Sequence, residues 1–313
     1  MMASDAIRIR DFIITQDDWI FAVIGYDNSS DIQAYLRYVP DEDGDRIRSD
    51  GKRFKKVGFD DAYRLLKNSR PNYLNNSHLV PFEDVAEVKY PQQFVATTDD
   101  EKVLKIAELL ENYGVDRKDM GVTGSRLVDL QAETSDVDFV VYGRHSFERA
   151  RRALKDATQN GELPRISAEM WSRVYEKRRP ELTFEEFVMH EKRKWNRGVV
   201  DDTYFDLLFV RDYSEIKIEP QGVDDGYVEA KASVTNVDFA FDNPAIYEVD
   251  HDEIGKVLSY THTYVGQALV GEMIEVRGVY NKADEKRVIV GTTREAKGEW
   301  IKSCTLLSGS AIV

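Results

Sequence analysis

The segment that most constrains this chain is a short apolar run that opens with two acidic residues, Asp136 and Asp138. Residues 137–142 are rich in β-branched and aromatic side chains, which predicts a β-strand. Side chains alternate between the faces of a strand, so the two carboxylates point to the same side. Such close charges repel unless a cation neutralises them, and Mg²⁺ prefers hard oxygen ligands. The pattern therefore favours a metal site, although an isolated Asp-x-Asp is more often a solvated strand end.

Gly124 and Ser125 stand shortly before this strand and follow another β-like run that ends near Thr123. Glycine lets a phosphate approach the backbone closely, and backbone N–H groups at a following helical turn offer donors to an anion, together with the serine hydroxyl. A Gly-Ser pair alone is only a common turn. Its position, separated from Asp136 by ten residues, predicts that a phosphate and a metal ion bind side by side.

Gly124-Ser125, ten residues and then Asp136-Val137-Asp138 closely resemble the Gly-Ser-x₁₀-Asp-x-Asp signature of the DNA polymerase β nucleotidyltransferase superfamily. The adjoining Arg126 and the apolar run after Asp138 look especially like the minimal and the aminoglycoside nucleotidyltransferases. The resemblance covers roughly residues 97–212. The arrangement as a whole is similar to archaeal proteins described only as predicted nucleotidyltransferases, and this likeness implies no particular substrate.

The resemblance implies a third carboxylate on a neighbouring strand and two metal ions, Mg²⁺ or Mn²⁺. Residues 204–210 read as a strand in which Asp206 is the one charged residue, where an unpaired carboxylate would be costly. Asp206 is therefore the candidate, and a buried ion pair with a nearby basic residue is the alternative. We expect Asp136, Asp138 and Asp206 to be the catalytic and metal-binding residues, with Asp206 also a candidate general base.

Residues 173–197 form the one local excess of positive charge in a chain whose formal net charge is −14. The basic residues of this segment are Arg173, Lys177, Arg178, Arg179, Lys192, Arg193, Lys194 and Arg197. They could hold a triphosphate or an RNA-like acceptor, although a solvated helix face with ion pairs is the more common explanation. Trp171, Tyr175 and Trp195 could stack on a base, but such aromatic residues more often pack a core. The residues expected to bind the nucleotide are Gly124, Ser125, Arg126, Lys192 and Arg193.

The order of elements predicts an α+β protein with three parts. Residues 1–95 read as a β-rich domain, residues 96–215 as the nucleotidyltransferase domain with a short mixed sheet and helices, and residues 216–313 as a second β-rich domain. The C-terminal strands fit either a plain β cap, which we favour, or a small barrel of the kind that binds oligonucleotides. We also expect a helix near residues 252–260 and a helix that starts at a capping box over residues 98–101.

Length and composition suit a folded, cytoplasmic protein. The chain has 313 residues, of which 42% are hydrophobic, and this is enough to bury the cores of two or three domains. No stretch resembles a signal peptide or the roughly 20 apolar residues of a membrane span. The single cysteine, Cys304, excludes an intrachain disulfide and a cysteine-based zinc site. Because the net charge is negative, any polyanion must be bound locally.

These features together predict a metal-dependent nucleotidyltransferase that moves an NMP from an NTP to an acceptor hydroxyl with release of pyrophosphate. ATP is the expected NTP. The acceptor stays open between RNA, a protein and a small molecule, no membrane partner is expected, and the oligomeric state is not indicated. The alternative is a catalytically silent nucleotide- or RNA-binding regulatory module on the same fold.

Overall fold

A computed structural model describes residues 7–75, 77–293 and 296–309 of the chain. The chain divides into two compact units, one of residues Met1–Ala153 and Val199–Ile218 and the other of residues Leu154–Gly198 and Glu219–Val313. Helices and three sheets in the described parts confirm the predicted α+β class. The division of the sequence into three domains stays a prediction beside this two-unit organisation.

The N-terminal part of the first unit is a seven-stranded sheet in the order β4-β5-β3-β2-β1-β7, with β6 paired to β3. Its strands are β1 Phe12–Thr15, β2 Ile20–Val23, β3 Ile32–Pro40, β4 Arg46–Ile47, β5 Arg53–Lys56, β6 His78–Val80 and β7 Val85–Lys89. The helix α1, Phe59–Ser69, buries Ala62 and Leu66 in the same core as Ile13 and Phe21. Alternating burial along β3 explains why this segment forms a half-buried strand.

The second sheet of this unit has the order β10-β11-β9-β8. Its elements and the helices around them are α2 Pro91–Thr97, α3 Glu101–Asn112, β8 Met120–Thr123, β9 Val137–Tyr142, α4 Arg144–Asn160, β10 Arg197–Val200 and β11 Thr203–Val210. The strand β9 is antiparallel to β8 and parallel to β11. It therefore lies in the middle of the sheet, which explains its nearly continuous run of buried apolar residues. The boundary between the two units falls within α4.

The start of α3 differs in detail from the predicted capping box. Asp100, rather than Thr98, is the N-cap residue, and its Oδ1 accepts hydrogen bonds from the backbone N–H groups of Lys102 at 3.0 Å and Val103 at 3.3 Å. Thr98 instead accepts a hydrogen bond from the backbone of Asp100 at 3.1 Å. Aspartate is as good an N-cap as threonine, so the sequence pattern did not distinguish the two.

The second unit combines a helical pair with a β-barrel. Its elements are α5 Ala168–Arg178, α6 Phe184–Lys194, β12 Val223–Asn236, β13 Ala245–Asp250, β14 Lys256–Ser259, β15 Met273–Lys282, β16 Lys286–Val290, β17 Trp300–Ser303 and α7 Cys304–Gly309. Trp171 on α5 and Phe187 on α6 are buried, with ring centroids 6.4 Å apart in an edge-to-face contact. These aromatic side chains form the core between the two helices, as the simpler interpretation predicted.

The C-terminal strands close on themselves, so the favoured interpretation as a plain β cap is wrong. The sheet runs β12-β13-β14-β16-β15, and β15 pairs again with the long strand β12. This pairing makes a five-stranded barrel, with β17 added beside β15. The helix expected near residues 252–260 is also wrong, because Lys256–Ser259 forms β14 between β13 and β16. A barrel of this size binds oligonucleotides in some proteins, but a fold alone does not establish a function.

Short 3₁₀ turns connect several elements, at Pro71–Tyr73, Phe82–Asp84, Arg117–Asp119, Tyr213–Glu215 and His262–Tyr264. Among the helices in the described ranges, none is both long enough and apolar enough to cross a membrane.

Candidate active site

The Gly-Ser turn follows directly from the end of β8. Thr123, the last residue of this strand, is buried and donates a hydrogen bond through Oγ1 to the backbone oxygen of Arg10 at 2.6 Å. Gly124 then has a φ of +76°, a left-handed conformation that favours glycine. The turn closes with a hydrogen bond of 2.8 Å from the backbone N–H of Leu130 to the oxygen of Ser125. The structure therefore holds Gly124 and Ser125 at one end of the sheet.

Asp138 lies next to this turn. It is the second residue of β9 and pairs with Thr123 of β8 on one side. A Cβ atom added to Gly124 would collide with the Asp138 carboxylate. Glycine at position 124 thus suits the left-handed backbone, and its lack of a side chain lets the Asp138 carboxylate lie close to the turn. Asp136 lies two residues earlier, just before β9, and both aspartates are half-buried.

Asp206 is the direct partner of Asp138 on the other side, in the parallel pairing of β9 with β11. Paired residues of adjacent strands present their side chains on the same face, with backbones about 4.8 Å apart. Asp206 is half-buried, whereas Tyr204 and Phe205 before it on β11 are buried. The hydroxyl of Tyr204 donates a hydrogen bond to Asp206 Oδ1 at 3.0 Å. Two of the three predicted carboxylates are therefore adjacent, with the Gly124 turn beside them.

The comparisons with known proteins agree with this arrangement. The family model described as a nucleotidyltransferase domain matches residues 102–219, a range that contains the Gly-Ser turn and all three aspartates. An uncharacterized protein of Methanocaldococcus jannaschii is 40% identical over 336 aligned residues, which cover 95% of this chain and 98% of the relative. The chain belongs to the polymerase β-like nucleotidyltransferase superfamily. No solved structure matches the chain significantly.

Membership in this superfamily makes the chain's nucleotidyltransferase domain a candidate for NMP transfer, with a nucleoside triphosphate as the implied substrate. The domain's matched range runs through the helices α5 and α6, which belong to the second compact unit. The relative is similar to this chain along nearly its whole length. The similarity therefore also covers the segments that form the N-terminal sheet and the C-terminal barrel in this chain.

The donor chemistry of the nucleotidyltransferase site fits divalent cations. In the described ranges, no three histidine, cysteine or acidic side chains form a ready-made cluster for a metal ion. Mg²⁺ does not require such a cage, since it usually binds one or two carboxylates and completes its shell with water and substrate phosphates. The adjacent positions of Asp138 and Asp206 provide carboxylates of this kind, and the Gly124 turn lies close to the Asp138 carboxylate.

Arg126, which was predicted to bind the nucleotide, has structural contacts in the nucleotidyltransferase domain. Its side chain is buried and forms an ion pair with Asp100, the N-cap residue of α3. Its Nη2 also donates to the backbone oxygen of Ser135 at 3.3 Å, one residue before Asp136. Arg126 therefore ties the loop that carries Asp136 to the start of α3. A direct contact between Arg126 and the nucleotide stays a prediction.

Tyr38 is a residue near the site that the sequence did not indicate. It lies on β3 of the N-terminal sheet and is buried. Burial raises the pKa of Tyr38, and the nearby carboxylate of Asp138 acts in the same direction. Arg46 of β4 opposes this effect and donates a hydrogen bond to the backbone oxygen of Leu130 at 3.5 Å. The N-terminal sheet thus forms part of the surroundings of Asp138, although Tyr38 and Asp138 are about a hundred residues apart in the sequence.

The same sheet supports the loop between the two motifs. Leu127, Val128 and Leu130 pack in one core cluster with Phe12 and Phe54 of the N-terminal strands. Burial of these side chains fixes the loop that joins the Gly-Ser turn to Asp136. No local sequence signal indicates this contact, because the participating segments are far apart along the chain.

Lys192 and Arg193, the other predicted nucleotide-binding residues, lie on α6 in the second unit. Arg193 makes a bidentate ion pair with Glu272, at 2.6 and 2.9 Å, and donates to the backbone oxygen of Gln267 at 2.5 Å. Its neighbour Lys194 is buried in an ion pair with Glu191 at 2.5 Å. Part of the basic segment is thus engaged in structural ion pairs, whereas Lys192 is exposed. Nucleotide binding by Lys192 and Arg193 stays a prediction.

Proposed function

We propose that this chain is a metal-dependent nucleotidyltransferase that moves an NMP from an NTP to an acceptor hydroxyl and releases pyrophosphate. The observation that carries this proposal is the direct pairing of Asp138 with Asp206, next to the left-handed turn at Gly124 that the Asp138 carboxylate approaches closely. Membership in the nucleotidyltransferase superfamily supports the same reaction class.

The residues of the candidate site would have the following roles in NMP transfer. Gly124 and Ser125 offer backbone N–H groups and a hydroxyl to the triphosphate. Mg²⁺ or Mn²⁺ held by Asp136, Asp138 and Asp206 would neutralise phosphate charge and polarise the α-phosphoryl group. Asp206, held by the Tyr204 hydroxyl at 3.0 Å, accepts the proton of the acceptor hydroxyl as its oxygen bonds to the α-phosphorus. The bond from the α-phosphorus to the bridging oxygen breaks, and pyrophosphate leaves with the electron pair.

Nucleotide binding tests the proposal without knowledge of the acceptor. We expect the full-length protein to bind a nonhydrolysable NTP when Mg²⁺ is present, and to lose most of this binding in EDTA or in Asp138→Asn. The matched control is Glu133→Gln, which changes an exposed acidic residue of the same loop. Binding that is equal in wild type and Asp138→Asn would contradict the assignment of the metal site.

Transfer is then measured with each of the four α-³²P-labelled NTPs in turn, with RNA, the protein itself and small hydroxyl compounds as acceptors. We expect pyrophosphate release together with label on one acceptor class. ATP is the NTP that we expect to be used. Mg²⁺-dependent binding without any turnover across these acceptors would favour the silent regulatory module over the enzyme.

A further inference from the structure

The second unit contains a cavity of about 430 Å³, whose lining comes from residues other than those of the Gly-Ser and aspartate motifs. The charged and aromatic residues that line this cavity are Arg165, Trp171, Glu191, Lys192, Trp195 and Arg197. All of them come from the helical segment, residues 154–198, of one compact unit. The volume lies within the range of sites that bind small molecules, about 300 to 1,000 Å³.

Two indole side chains give the cavity aromatic walls. Trp171 of α5 lines the cavity but is buried, in edge-to-face contact with Phe187. Trp195 follows α6 as its C-cap residue and is only half-buried, so part of its indole is accessible. An accessible indole inside a cavity is suited to stacking with a planar ring, and nucleobases stack on tryptophan whatever their sequence.

The backbone of Trp195 adds an independent observation. Its φ of 51° and ψ of 36° are left-handed, a conformation in which glycine is the usual helix C-cap neighbour and a bulky residue is uncommon. Glycine would therefore fit this backbone conformation better than tryptophan does. The Trp195 side chain lines the cavity.

The side chains around the cavity carry an excess of positive charge, which favours an anionic ligand. Glu191 is buried and pairs with Lys194 and Arg197, so its negative charge is compensated within the protein. Arg165 and Lys192 are exposed side chains at the same cavity and add positive charge. This local excess occurs in a chain with a formal net charge of −14. It favours a ligand that combines a planar ring with a phosphate.

We propose that this cavity binds a nucleotide, with its base stacked on Trp195 and its phosphate at Arg165 and Lys192. The nucleotide is either a free mononucleotide or an unpaired residue of an RNA strand, since both present the same chemistry. This site is additional to the one that we propose for the transfer reaction. It requires neither a metal ion nor turnover, so it stands or falls independently of the proposed activity.

The test is equilibrium binding to the full-length Asp138→Asn protein in EDTA, where metal-dependent binding at the transfer site is suppressed. The probes are the four 5′-mononucleotides, adenosine, ribose 5-phosphate and a single-stranded RNA octamer. We expect nucleotides to bind at least about 10-fold more tightly than adenosine or ribose 5-phosphate, because the site uses both base and phosphate. An octamer that binds more tightly than any mononucleotide identifies RNA as the source, and equal affinities identify the free nucleotide.

Trp195→Gly removes the indole and suits the left-handed backbone, so we expect it to fold and to weaken nucleotide binding about 5- to 150-fold. Its matched control is Arg179→Gly, which makes the same change at the left-handed C-cap of α5, away from the cavity. Lys192→Ala should weaken binding and reduce its salt dependence, whereas Lys155→Ala, an exposed lysine of α4 outside the cavity, should not.

The proposal is overturned if no probe binds, or if adenosine binds as tightly as the nucleotides. It is also overturned if binding is unchanged in folded Trp195→Gly and Lys192→Ala proteins. If Trp195→Gly does not fold, Lys192→Ala with its control decides the matter, because Lys192 is exposed.

Discussion

Asp138 and Asp206 are directly paired residues on two parallel strands, although 67 residues separate them in the chain. Their side chains share one face of the sheet, next to the Gly124 turn. The N-terminal sheet adds Tyr38 to the surroundings of the same carboxylate. The strand β11, the Gly124 turn and the N-terminal sheet thus all lie near Asp138.

Asp206→Asn should separate nucleotide binding from chemistry. If Asp206 serves mainly the acceptor hydroxyl, this variant binds an NTP with Mg²⁺ but loses transfer by about 10²- to 10⁴-fold. Asp202→Asn, at an exposed loop position with a left-handed backbone that asparagine tolerates, is the matched control. Transfer, NTP binding and thermal melting are measured on the same samples. A large fall in melting temperature with activity kept at low temperature would remove Asp206 from the site.

Asp136→Asn and Asp138→Asn should each abolish transfer while the protein stays folded, because the substitution removes charge but preserves size. The loss should be about 100-fold or more, since a catalytic metal supplies several kcal/mol of transition-state stabilisation. Pyrophosphate release at saturating NTP is the measurement, with circular dichroism as the check on folding. An Asp138→Asn protein with activity near that of wild type would contradict the mechanism.

Gly124→Ala should impair the site through the Asp138 carboxylate. The added Cβ would displace this carboxylate, and a displacement of about 1 Å can cost about 100-fold in rate. Gly114→Ala is the matched control, because Gly114 has a similar φ of +81° but its added Cβ would make only an ordinary contact, 3.8 Å from Arg149 Cδ. Both variants carry the backbone cost of alanine in this conformation, but only Gly124→Ala should lose nucleotide affinity and transfer. Equal losses in the two would mean that Gly124 has only a conformational role.

Asp11→Asn should make the first unit more stable at alkaline pH. Burial raises the pKa of Asp11 well above its usual range, to about 7, although a backbone hydrogen bond from Arg8 at 2.9 Å opposes this. Between about pH 4 and 7 the folded state therefore holds a proton that the unfolded state has lost, and the free energy of unfolding falls as the pH rises through this window. Across this window the free energy of unfolding falls by at most about 4 kcal/mol because of Asp11.

Urea unfolding of the wild type and Asp11→Asn between pH 5 and 8 measures this dependence. We expect the asparagine variant to gain stability relative to wild type as the pH rises, and Glu42→Gln, an exposed acidic control, to show no such trend. The quantity to compare is the difference in free energy of unfolding between wild type and variant, because His78 also makes the stability of both proteins depend on pH. Burial lowers the pKa of His78 to about 4. The stability linked to His78 is present above its unfolded pKa and is lost as the pH falls, which is the opposite direction. A constant difference across the pH range would show that Asp11 is ionised in the folded state.

Local patterns predicted those elements whose cause is local. The strand β9 and the turn at Gly124 were predicted because each depends on side-chain type or glycine within a few residues. The strand β14 was predicted as a helix because its short apolar run does not reveal its period, and pairing with β13 and β16 made it a strand. The sequence did not indicate the helix α2, which begins at Pro91, a residue that can start a helix because its missing N–H has no partner there.

The sequence by itself determined the chemical groups of the candidate site, because the Gly-Ser and Asp-x-Asp motifs lie in one continuous segment with a recognisable spacing. Only the tertiary structure decided which distant groups join them. The register of β11 against β9 makes Asp206 the partner of Asp138, and the packing of the N-terminal sheet brings Tyr38 near the same residue. The pairing of β12 with β15, which closes the C-terminal barrel, was likewise decided only by the tertiary structure. These contacts depend on burial and hydrogen bonding between remote segments, which no local pattern encodes.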